Sequence, residues 1–146
     1  MNKLFSLKAA LVAASILVLP FAQAATMTKA DYNAGKTRIS ADYKADKAAC
    51  AGQAGNAKDI CVEEAKAKEK VARAELEYAY TGKSSDRNKV LVAKAETGYA
   101  VAKERCDDKA GNAKDVCVKE AKAIEIKALA DAKNGQDRRR RRQARR

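Results

Sequence analysis

The chain has 146 residues, with 31 Lys and Arg against 19 Asp and Glu, a net charge of +12, and no His or Trp. Alanine supplies 33 residues, and after residue 24 only 20 are Ile, Leu, Val, Phe, Met or Tyr. Alanine buries little surface, so the composition argues against a thick core, a closed β-barrel or a doubly wound sheet.

The first element is an export signal over 1–24. Lys3 and Lys8 precede an apolar run from Ala9 to Leu19, and Ala22-Gln23-Ala24 ends in a small-x-small site. The run falls short of the ~20 residues a bilayer-spanning helix needs, so cleavage after Ala24 is predicted. The first Cys is Cys50, far from that site, which disfavours a lipid anchor. Export points to the periplasm. The first 24 residues carry +2 and the segment from Asp137 carries +6, leaving +4 for 25–136.

The mature body is duplicated. Residues 43–74 match 99–130 at an offset of 56, with 18 identities in 32 positions. Gly55–Val62 and Gly111–Val118 share G-N-A-K-D-[IV]-C-V, and Tyr43, Lys47 and Cys50 align with Tyr99, Lys103 and Cys106. Each unit reads as two helices about a short turn. Leu91, Ala95, Tyr99, Ala102 and Cys106 form one helical stripe before the turn; Ile60, Ala67, Val71, Ala74 and Tyr78 form one after it. Gly55 and Gly111 break the helices, and Asn56 and Asn112 are expected N-caps. The predicted organisation is a first hairpin over 25–80, a linker over 81–87, a second hairpin over 88–136 and a disordered arginine-rich tail over 137–146. The expected fold is all-α, with two antiparallel hairpins and a flexible basic tail.

Ten residues separate Cys50 from Cys61, and ten separate Cys106 from Cys117. An even Cys count in an exported chain favours disulfides. Three connectivities are open. The repeat favours Cys50–Cys61 and Cys106–Cys117, which make each unit self-sufficient. Zinc sites want closer Cys pairs and usually His, and redox pairs want C-x-x-C.

The chemistry of known enzymes is sparse. There is no Ser/His/Asp set, and Thr81-Gly82-Lys83-Ser84 lacks the upstream glycine of a phosphate loop. Glu63-Glu64 and Asp107-Asp108 are adjacent pairs that point apart and read as solvated charge. The five tyrosines read as core packing. No catalytic residue, metal or cofactor is expected. The tail's Arg138, Arg139, Arg140, Arg141, Arg142, Arg145 and Arg146 form a basic block for envelope polyanions or an anionic lipid surface. No aromatic residue interleaves them, so no specific nucleic acid is expected. The narrow apolar stripes leave homo-oligomerisation open.

The signal, the Ala/Lys/Glu-rich helices and the two Cys-containing G-N-A-K-D segments together resemble a group of small exported proteins of β-proteobacteria. Some of these are labelled TolA-like or cell-envelope biogenesis proteins. The resemblance covers about Ala30 to Lys133 and implies an envelope setting; it supplies no active site. The expected role is that of a non-enzymatic periplasmic helical protein, envelope-associated or stress-protective. The alternatives are a polyanion or membrane-surface binder and a thiol-redox protein.

Overall fold

The computed structural model describes residues 27–146, so the expected signal and its cleavage site lie outside the described residues. Four helices follow in order: α1 (Lys29–Ala49), α2 (Gly55–Thr81), α3 (Ser84–Cys106) and α4 (Gly111–Ala144). A short 3₁₀ turn, Cys50–Gly52, follows α1. There is no strand among the described residues. The expected all-α pair of hairpins is the fold.

Helix ends follow local chemistry. α1 opens on a capping box. Thr28 Oγ1 accepts from the Asp31 N–H at 3.1 Å, and the Asp31 carboxylate accepts from the Thr28 N–H at 3.3 Å. Backbone donors that the helix leaves unpaired are thereby satisfied. Gly55 and Gly111 hold φ of +56° and +52°, a region that side chains with a Cβ rarely enter. They swing the chain from one helix into the next. Gly82, at φ +64°, ends α2 with its N–H on the Tyr78 carbonyl at 2.8 Å.

Three expectations need correction. The N-caps are Ala54 and Ala110, not Asn56 and Asn112. The left-handed glycine lets the backbone enter the helix early, which puts each asparagine inside the first turn. The linker expected over 81–87 reduces to Gly82 and Lys83, because Ser84 already begins α3. Asp86 then falls in the first turn, where a carboxylate meets the positive end of the helix. The segment 137–146, expected to be disordered, continues α4 through Ala144. Arg, Gln and Ala are good helix formers, and Asn134-Gly135 inside a long helix costs too little to stop it.

The helices form one layer. Each packs only on its neighbours in the chain: α1 on α2, α2 on α3 and α3 on α4, with α2–α3 the most extensive contact. This is an open antiparallel array with two exposed broad faces, not a closed bundle. The buried apolar residues are five alanines, two cysteines and one larger aliphatic residue, Val90. Small side chains let the helix backbones approach closely, but alanine burial stabilises them only weakly. Both elbows, α1–α2 and α3–α4, lie at one end of the layer. The Gly82 turn and the arginine end of α4 lie at the other.

Candidate functional site

The two elbows carry the sulfur. Cys50 bonds Cys61 and Cys106 bonds Cys117, each pair with its Cα atoms 5.7 Å apart. That separation is ordinary for a disulfide. Cys50 and Cys106 are each only 1% exposed. A bridge closing so short a loop stabilises by about 3 kcal/mol in the chain-entropy picture. With so little else buried, each bridge is a main support of its hairpin. Two disulfides and no free cysteine belong to an oxidising, exported setting. No described helix is long and apolar enough to cross a membrane.

The second feature is a pair of grooves on equivalent positions of the two hairpins. Between α1 and α2 the floor holds Ile39, Tyr43, Ala65 and Ala72. Asp46 and Lys68 span it with an ion pair at 3.2 Å, and a cavity of about 370 Å³ remains. Between α3 and α4 the same positions are Ala95, Tyr99, Ala121 and Ala128. There the counterparts of Asp46 and Lys68 are Ala102 and Ile124, and no ion pair spans the groove. A cavity of about 580 Å³ lies open. Ile124 is 71% exposed and Leu91 45%. Beneath them Lys122 donates to Glu125 at 2.6 Å and lies 4.7 Å from the centre of the Tyr99 ring. The Glu125 bond raises the Lys122 ammonium above its ordinary value.

The expectation that the tyrosines pack in a core is not met: none is fully buried. Tyr43 and Tyr99 line the two grooves. Tyr32 stacks on Tyr80 with ring centres 4.5 Å apart and donates to Glu77 at 2.6 Å. That bond to a carboxylate raises the Tyr32 hydroxyl above its ordinary value. The alanine-rich helices come too close to accommodate a ring between them, so the rings lie along the seams.

The third feature is the end of α4. Arg138, Arg141, Arg142 and Arg145 share one helix face and line a shallow cleft. Arg139 lines a small cavity together with Ser84, at the start of α3. Arg140 and Arg146 are also exposed at this projecting end.

The sequence did not reveal the α2–α3 junction. Arg105 pairs with Glu64 at 2.6 Å, Lys70 with Glu96 at 2.6 Å and Lys94 with Glu75 at 2.7 Å. The Asn56 amide donates to the Glu104 carbonyl and to Asp108, tying the two elbows together. The available signal was opposite charge at positions nearly symmetric about Gly82. The adjacent carboxylates go to separate partners, Glu63 to Lys66 and Asp107 to Lys114. Among the described residues no cluster of three His, Cys, Asp or Glu side chains could hold a metal ion. Comparison with protein-family models, curated proteins and solved structures finds no match.

Proposed function

We propose that this chain is a non-enzymatic periplasmic protein of the cell envelope, a rigid helical layer that works through its outer faces. The observation that carries this reading is the placement of the sulfur. Each bridge sits at a helical elbow with one cysteine fully buried. An exchange-active disulfide must expose a sulfur to an attacking thiolate along an open path. The elbow bridges, each with one cysteine buried and the other half-buried, instead suit a structural role in a thin, alanine-rich fold. The basic, apolar and small-x-small succession over 1–24 supports export with cleavage after Ala24.

Nonreducing peptide mapping of periplasmic extract tests this reading. The expected result is a mature chain beginning at Ala25 with Cys50–Cys61 and Cys106–Cys117 both closed. Recovery of the chain from cytosol with its leader intact and its thiols free would overturn it.

A second reading is favoured by the end of α4, where four guanidinium groups share one face. That face suits an anionic lipid or lipopolysaccharide surface, at which each arginine contributes about 1 kcal/mol at low salt. Co-sedimentation with vesicles of anionic phospholipid should fall steeply with salt. It should also fall on changing Arg138, Arg141, Arg142 and Arg145 together to Gln. Binding indifferent to both would remove this reading and leave the first in place.

A further inference from the structure

We infer that the α3–α4 groove is a self-association surface, and that its occupant is the same groove of a second copy of this chain. The argument begins with the repeat. In the first hairpin the Asp46–Lys68 pair spans the groove and leaves a cavity of about 370 Å³ against about 580 Å³ in the second. In the second, the same two positions are Ala102 and Ile124, and the Asp42 equivalent is Gly98. A Cβ built on Gly98 would meet nothing within 4 Å. Three charged or acidic positions have thus become two small ones and one protruding isoleucine. Within a shared fold, this change affects the solvent-facing surface and leaves the inner packing alone.

The surface is complementary to itself. Counting from the Cys106–Cys117 bridge at equal rise, Gly98 lies level with Glu125, Ala95 with Ala128, and Leu91 with Ala132. Ile124 therefore stands at one end of the trough and Leu91 at the other, with an alanine-floored hollow between them. A knob beside a hollow on one patch is what an isologous two-fold contact requires, since each copy offers what the other receives. The charges on the rim are already paired within the chain, Lys94 with Glu75 and Asp131 with Lys127, so no lone charge would be buried. Turning one copy antiparallel to the other lays α3 on α3 and α4 on α4 of the second copy, so Leu91 and Ile124 each meet small residues. The same rotation sends the two arginine ends to opposite poles, which keeps like charge apart. Burying Ile124 in both copies covers the most exposed large aliphatic side chain among the described residues.

An alternative association would stack the outer face of α4 on the outer face of α1, as α2 stacks on α3. Its chemistry is poorer. Val71 and Tyr78, on the face of α2 toward α3, become Lys127 and Asn134 on α4, polar changes suited to a capping surface.

Sedimentation equilibrium of the disulfide-intact chain over 25–146 tests the inference. A dimer is expected at micromolar to high micromolar concentration. Ile124→Glu should give a monomer with unchanged helix content, because the side chain is exposed and its loss leaves no cavity. Lys68→Ala, at the equivalent site of the first hairpin, should leave the dimer intact. Gly98→Gln, which fills the hollow, should weaken the dimer at least tenfold. A wild-type chain that stays monomeric overturns the inference. So does a dimer that survives Ile124→Glu, or one that Val116→Glu on the outer face of α4 dissociates.

Discussion

The two hairpins share a backbone plan and differ in how they meet water. In the first, charge spans the groove, and Gly35 on α1 lies under Leu76 of α2, whose Cδ1 would be 2.8 Å from an added Cβ. In the second, the corresponding pair is Leu91 on α3 and Ala132 on α4, so large and small have exchanged helices. Ala132 is buried while Leu91 is partly exposed. Volume across the seam is conserved, and the aliphatic group has moved outward. The comparison shows that a duplicated scaffold can keep its elbow, glycine turn and alanine seam while one copy changes its outer surface. It also shows an asymmetry of support. α1 has no fully buried residue, whereas α3, packed on both sides, has five.

Removing sulfur should break the comparison most sharply. Changing Cys50 and Cys61 together to Ala should cost about 3 kcal/mol and loosen α1, none of whose residues is fully buried. The same change at Cys106 and Cys117 should cost a similar amount but leave α3 held by α2. Amide exchange read helix by helix distinguishes the two. Next is Val90→Ala, which empties a buried site at the α2–α3 junction and should cost about 1–2 kcal/mol in urea denaturation. Asp46→Ala should cost less than about 1 kcal/mol, since its pair with Lys68 is partly exposed. Its sharper readout is whether apolar-dye binding by the chain then increases.

Acid gives a finer test. The Lys89 ammonium, followed by the Thr81 hydroxyl, holds the Asp86 carboxyl below its ordinary value. The folded chain therefore binds this proton less readily than the unfolded chain. The stabilisation is complete above a pH of about 4 and is lost as pH falls through the folded value. Asp86→Asn should flatten that part of a stability–pH curve. An unchanged curve would assign acid sensitivity elsewhere.

Much of this arrangement was legible in the sequence because it is local. The 56-residue offset, the positive-φ glycines and the cysteine spacing all act within one hairpin. The helix register of Leu91, Ala95, Tyr99 and Ala102 was also readable, and these residues line one groove. Less legible were features fixed by tertiary geometry. The Asn56 side chain serves Glu104 and Asp108 across the layer, not its own helix end. The tyrosines were assigned to a core that a one-layer array does not have. The arginine run was read by its charge, while its helical propensity carries α4 onward.

Because both cross-links and the Asn56 tether lie at the same end, the array behaves like a comb gripped by its spine. Thermal breathing will start at the Gly82 end and travel toward the elbows, so protection of amides should rise along each helix in that direction. The projecting cationic helix occupies the looser end. A counter-surface that captures it would act where the teeth of the comb are freest to splay.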